Sequence, residues 1–195
     1  MQSMIFQQMV NEDAGCISYL IGCSQAGEAI VVDPGRDRVE DYGAWARRKG
    51  LTLTHIVETH IHADHLSGNQ ALAAKTGARI HIHPAAEAAY AHAPITDGEA
   101  ITIGTVRIQA VHTPGHTPGS TCFLLADRTP PILFSGDTLF RRSVGRTDLW
   151  GGDTDTILAS IREKLFALAP ETRVVCGHGP DTTIGEECLS NPFAS

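Results

Sequence analysis

Long apolar runs are missing from this chain of 195 residues. None approaches the roughly 18 residues that a bilayer-spanning helix needs. The opening Met1-Gln2-Ser3-Met4-Ile5-Phe6-Gln7-Gln8 has neither a basic leader nor an apolar one, so no membrane partner is expected and the chain reads as cytoplasmic. Positive charge is scarce as well. Fifteen Lys and Arg stand against 22 Asp and Glu, a formal net charge of −7, and basic residues gather no further than Arg47-Arg48-Lys49 and Arg141-Arg142. A phosphate backbone finds little to hold on such a surface, so nucleic acid is not an expected partner. The five cysteines, Cys16, Cys23, Cys122, Cys176 and Cys188, are odd in number and show no C-x-x-C spacing. They read as thiols of a reducing compartment, not as a disulfide framework or a thiolate zinc site. No Pro/Ser-rich linker or low-complexity stretch interrupts the sequence, which reads as a single domain over residues 1–195.

What the sequence does hold is a succession of short apolar runs divided by turn residues. Residues 16–21 and 29–32 read as adjacent strands ending at Asp33-Pro34-Gly35. Val39, Tyr42, Trp45 and Ala46 recur at helical spacing until Gly50, and 51–57 alternates as a strand. A helix from Leu66 to Lys75 closes at Gly77, a strand covers 79–83, and an Ala-rich helix runs on through Tyr90. Strands follow at 100–103, 106–112, 121–125 and 131–135. A helix over 154–168 places Ile157, Leu158, Ile161, Leu165 and Leu168 on one face, and 173–176 is the last strand. This order predicts an α/β domain with helices outside packed sheets.

The chemistry-bearing residues stand where these strands end. Thr59-His60-Ile61-His62-Ala63-Asp64-His65 follows one strand and precedes a helix. On extended chain His60, His62 and Asp64 share a face, and the turn into the helix brings His65 toward them. Three imidazoles and a carboxylate so close together would be costly to leave unpaired, and a divalent ion satisfies them. His116 follows in a turn-rich Thr113-Pro114-Gly115-His116-Thr117-Pro118-Gly119 segment. Asp137 closes the 131–135 strand, and His178 closes the last one. If Asp137 bridges, His60, His62 and His116 form one ligand shell and Asp64, His65 and His178 another. Imidazole and carboxylate without thiolate suit zinc, iron or manganese, and two such ions acidify a bridging water and polarise a carbonyl. Asp64 is then both ligand and catalytic residue, orienting the hydroxide. His81 and His83 repeat the His-x-His spacing, but they end at Pro84 without a following Asp-His and read as surface or packing residues. Asp33, ending its strand near the same edge, is placed to hydrogen-bond a ligand histidine.

The ordered set His60-x-His62-x-Asp64-His65, His116, Asp137, His178 resembles the metallo-β-lactamase superfamily. The resemblance implies an αββα sandwich, two mixed β-sheets flanked by helices, with the metals at one edge. True β-lactamases place Cys where Asp137 stands, so antibiotic hydrolysis is not the expected activity. Gly136-Asp137-Thr138-Leu139-Phe140, Gly145-Arg146-Thr147-Asp148 and the ending Gly177-His178-Gly179-Pro180 through Asn191-Pro192-Phe193 resemble glyoxalase II, the hydroxyacylglutathione hydrolases. Cys16 to Gly22, Asp33-Pro34-Gly35 and Glu58 to His65 resemble persulfide dioxygenases. The first likeness implies two divalent ions (Zn, Fe or Mn) and hydrolysis of a small thioester, a glutathione conjugate among the candidates, with Arg146 on the substrate. The second implies a single Fe(II) held by His60, His116 and Asp137. Gly179-Pro180 after the last histidine, where dioxygenases usually carry Asp-Tyr, favours hydrolysis. Glyoxalase II carries further glutathione contacts on a C-terminal helical domain that does not follow Ser195 here; a homodimer partner can supply that wall.

Overall fold

The computed structural model describes residues 4–11, 15–61 and 67–194. The first sheet is built from β1 (Met4–Val10), β2 (Ile17–Cys23) and β3 (Glu28–Val32), an antiparallel meander, followed after helix α1 (Val39–Arg48) by β4 (Thr52–Val57). Helix α2 (Asn69–Thr76) returns the chain to β5 (Arg79–Ile82), and β6 (Ala93–Pro94) closes the edge. β3, β4, β5 and β6 pair in parallel, the first two of these links crossing over through a helix. The second sheet takes β7 (Ala100–Ile103), β8 (Val106–His112), β9 (Thr121–Leu125) and β10 (Ile132–Gly136) as an antiparallel run. A small hairpin of β11 (Leu139–Phe140) and β12 (Ser143–Val144) precedes α3 (Thr154–Ser160). β13 (Arg173–Cys176) then lies parallel to β10, with β14 (Thr182–Thr183) outside it and α4 (Ile184–Ser190) last. The order in space is β1-β2-β3-β4-β5-β6 and β14-β13-β10-β9-β8-β7.

Alternation along the strands explains the layers. Ile17, Tyr19 and Ile21 of β2, with Ile30, Val32 and Val57, meet Ile101, Ile103, Ile108, Phe123, Phe134 and Val175 of the other sheet in one apolar layer. The opposite faces carry their own cores. Leu20, Val31, Ile56 and Ile80 pack under Tyr42, Trp45 and Leu72 of α1 and α2. Cys122, Leu133 and Val174 pack under Ile157, Ile161 and Leu165 at the other end of the sandwich. Buried on both faces, β2 is apolar at nearly every position, which is why it reads as a continuous run. The four layers are helices, sheet, sheet and helices, the α/β sandwich expected.

Several elements differ from the expectation. Met4–Val10 is a strand at the sheet edge, and its uneven burial hides the period of two. The Ala-rich stretch makes only a 3-10 turn over Pro84–Ala86, because Glu87 turns into the left-handed region at φ 49°. The helix starting at Thr154 widens to a π-helical turn over Ile161–Leu165 and stops there, short of residue 168. The helix expected from Leu66 begins at Asn69 among the described residues, Leu66 lying outside them. No helix among the described residues is long and apolar enough to cross a membrane.

Candidate metal centre

The ends of β4, β10 and β13 and the turn between β8 and β9 converge on one edge of the sandwich. Three bonds hold that edge together: Thr121 N donates to the Thr59 carbonyl (2.8 Å), Gly177 N to the Gly136 carbonyl (2.8 Å) and Ile17 N to the Gly177 carbonyl (2.8 Å). His60 leaves the end of β4, Asp137 the end of β10, and His116 its turn. All three are buried, at 4%, 7% and 1% exposure, and their ligand atoms lie within 4.8 Å of one another. Nε2 of His60 and of His116 are 3.9 and 4.0 Å from Asp137 Oδ2. These spacings are too long for hydrogen bonds but shorter than two metal–ligand bonds of about 2.1 Å laid end to end, so one ion can touch all three.

The surroundings fix which nitrogen each imidazole presents. The Thr59 hydroxyl donates to Asp33 Oδ2 (2.7 Å), and its backbone N–H donates to Oδ1 (2.7 Å). Having spent its only proton, Thr59 Oγ1 accepts from His60 Nδ1 at 3.0 Å. His116 Nδ1 donates to the Arg146 carbonyl at 2.9 Å. Each ring therefore carries its proton on Nδ1 and aims the Nε2 lone pair at Asp137, the arrangement that raises ligand basicity in metal sites. Asp33 acts on the ligand through Thr59, one bond further away than the direct contact expected.

Close approach at two glycines makes this packing feasible. Gly136 has φ +49°, and a Cβ there would fall 2.2 Å from Thr59 Oγ1; a Cβ on Gly177 would fall 2.3 Å from Asp137 Oδ1. The absent side chain at 136 admits Thr59, not an ion.

His178 stands on the other side of Asp137. Its Nδ1 donates to Asp137 Oδ1 at 3.1 Å, and its Nε2 lies 3.2 Å from Cys16 Sγ. The hydrogen bond to Asp137 pushes the imidazole up to about 9 against the opposing effect of burial, with the Asp137 charge and Cys16 adding to the rise. Burial works to raise the Asp137 carboxyl, but the His178 bond and the charges of His60, His178 and His116 outweigh it and hold that carboxyl below its ordinary value. His178 is not among the three atoms that close on one ion. His62, Asp64 and His65 lie outside the described residues.

The Arg146 guanidinium is half-exposed and makes a fork with Asp148, at 2.8 and 2.9 Å. Its carbonyl, not its side chain, serves the His116 ring. His81 is buried against His55, ring nitrogens 2.9 Å apart, and His83 stacks on His112 with centroids 3.7 Å apart. Both are packing residues. Three contributors gave no sign in the sequence: Thr59, the Arg146 carbonyl and Cys16.

The family model of the metallo-beta-lactamase superfamily matches residues 13–178. The hydroxyacylglutathione hydrolase of Polaromonas sp. (strain JS666) is 40% identical over 164 residues, covering 83% of this chain and 61% of that protein. The mitochondrial persulfide dioxygenase ETHE1 of Bos taurus is 31% identical over 193 residues, covering 97% and 75%. The crystal structure of ETHE1 from Myxococcus xanthus superposes with a TM-score of 0.91 at 34% identity, covering 97% of this chain and 84% of the other. The fold, the converging histidines and aspartate, and these likenesses along most of its length agree: the chain belongs to the metallo-beta-lactamase superfamily.

Proposed function

We propose that this protein is a metal-dependent enzyme that holds one ferrous ion on His60, His116 and Asp137 and oxidises a small thiol persulfide with dioxygen. A persulfide, one dioxygen and one water would yield the thiol and sulfite. The observation that carries this reading is His178, whose two ring nitrogens are engaged by Asp137 and Cys16 beside a complete set of two imidazoles and one carboxylate. When bound, the ion supplies open positions for dioxygen and the substrate sulfur. The chain's own residues then hold the geometry. Thr59 and the Arg146 carbonyl hold both Nδ1 protons, so that the Nε2 lone pairs would face a bound ion, and the buried Asp137 carboxylate, held below its ordinary value, would offset part of its charge. The exposed Arg146 guanidinium, forked with Asp148, would take a carboxylate of a glutathione-like thiol by exchanging that partner. The ETHE1 likenesses support the reading, reaching 97% of the chain both in sequence and in structure.

A second reading, hydrolysis of a small glutathione thioester by two ions, is favoured by the way Asp137 divides its oxygens. Oδ2 faces His60 and His116 while Oδ1 faces His178, as a bridging carboxylate requires. The 40% identity to a hydroxyacylglutathione hydrolase points the same way. This reading needs His178 to leave Cys16, and it needs His62, Asp64 and His65 as ligands, with Asp64 orienting the hydroxide.

An oxygen electrode separates the two. With iron-loaded protein and glutathione persulfide, the first reading expects one sulfite per dioxygen consumed and loss of both in His116→Ala. Thioester cleavage without oxygen uptake on persulfide would replace it with the second.

A further inference from the structure

Positive charge is scarce in this chain, yet Arg141, Arg142 and Arg146 fall within six consecutive residues. They lie on the segment that leaves the buried Asp137 and returns at the carbonyl holding His116. That segment is the hairpin of β11 and β12. Leu139 pairs with Val144 and Phe140 with Ser143, so Arg141 and Arg142 form its two-residue tip. Gly145 N donates to the Thr138 carbonyl at 3.2 Å, closing the feet of the hairpin beside Asp137 on one side and Arg146 on the other. β11 lies against β13, and the Phe140 ring meets the His178 ring edge-on, centroids 6.3 Å apart. Four residues of chain separate Arg141 from Asp137, so their Cα atoms are at most about 14 Å apart. The tip therefore stands at the rim of the metal centre.

The backbone of this tip is fixed while its charges are left open. Arg142 stands at φ +56°, a conformation that glycine or asparagine adopts more readily, and its N–H donates at 2.8 Å to Oε2 of Glu187. Glu187 is 1% exposed, and Asn191 Nδ2 donates to the same oxygen at 2.8 Å and to the Ser143 carbonyl at 3.1 Å. This buried carboxylate thus takes the amide of the tip and not a guanidinium. Both arginines are exposed, and among the described residues no acidic side chain pairs with either, whereas Asp148 already holds Arg146. We infer that the Arg141-Arg142 tip determines specificity at this site by binding a carboxylate of a small, dianionic, thiol-derived substrate. The inference rests on the reading above that the centre acts on such a substrate, and it holds for either reaction, since both release the thiol. A guanidinium meets a carboxylate in a two-bond fork, and at the tip no existing partner has to be displaced. On a chain of net charge −7, two such groups also draw an anion toward this edge.

The test is calorimetric titration of the zinc-loaded, full-length protein with S-methylglutathione, which keeps both carboxylates, and with its diethyl ester, which keeps neither. The wild type is expected to prefer the acid, and the preference should shrink as salt is raised. Each exposed guanidinium–carboxylate pair is worth about 1.4- to 5-fold in affinity, so Arg141→Gln/Arg142→Asn should cut the preference about 2- to 25-fold and leave ester binding unchanged. Asparagine suits the left-handed position at 142. Should the double variant fail to fold, Arg141→Gln alone leaves the backbone at 142 as it is and should lose about 1.4- to 5-fold. Equal binding of acid and ester by the wild type overturns the inference, as does a preference that the variants keep in full or an equal loss of both ligands. None of these results touches the reaction itself. Failure of the wild type to turn over both glutathione persulfide and a glutathione thioester overturns the functional reading, and the inference with it.

Discussion

Replacing Thr59 by valine keeps the shape of the side chain and removes the oxygen that links Asp33 to His60. Two buried bonds go with it: the 2.7 Å donation to the Asp33 carboxylate and the 3.0 Å acceptance from His60 Nδ1. A hydrogen bond to a charged group is worth about 1.5–3 kcal/mol and a neutral one about 0.5–1.5 kcal/mol, so the loss in stability is about 2–4.5 kcal/mol. At roughly 2–4 °C per kcal/mol for a chain of this size, Tm falls by about 4–18 °C. The His60 ring also loses the partner that fixes its proton on Nδ1, so affinity for the first ion falls about 10- to 100-fold. Thermal unfolding of the metal-free protein and competition against a chelator measure the two effects separately. Thr59→Ser, which keeps the hydroxyl, retains most of both. A valine variant with metal affinity within twofold of wild type would refute the argument that Thr59 orients the ligand.

Gly177→Ala sets a methyl where Asp137 Oδ1 now lies, 2.3 Å from the new Cβ, so the carboxylate must move and metal content falls, as elemental analysis of the variant will show. The metal-free protein loses stability on the alkaline side: His178 is raised from 6.5 to about 9, so its contribution is complete below about pH 6.5 and is lost as pH climbs through 9. Chemical unfolding across that range checks this, and His178→Gln should flatten the alkaline limb. Arg146→Ala leaves the His116 bond intact, since the carbonyl makes it, and should raise KM for a carboxylate-bearing substrate with little change in kcat. A fall in kcat alone would place the side chain in the chemistry instead.

The apolar periodicity carried most of the fold, because buried two-sheet layers enforce alternation and the outer helices enforce a stripe. Val39, Tyr42, Trp45 and Ala46 all face the core, as their spacing implies. Met4–Val10 carries no clear period of two, because an edge strand buries neither face fully. The Ala-rich stretch after Pro84 has helical propensity but is stopped by the backbone turn at Glu87. The convergence of His60, His116 and Asp137 was legible because their residue types stand at strand ends that the topology brings to one edge. What orients them was not. A carbonyl such as that of Arg146 has no residue-type signature, Thr59 is an ordinary polar residue in the bend after β4, and Cys16 meets His178 across 162 positions of sequence. No spacing rule reaches the contact between Cys16 and His178.

The central claim is that one ion is held by His60, His116 and Asp137. Its most direct test is the metal content of protein purified anaerobically without added metal, counted per chain by elemental analysis. One iron per chain, unchanged by mild reconstitution with further iron, zinc or manganese, is the predicted result. Two tightly bound ions per chain would contradict it, and would mean that His178 has left Cys16 for the metal.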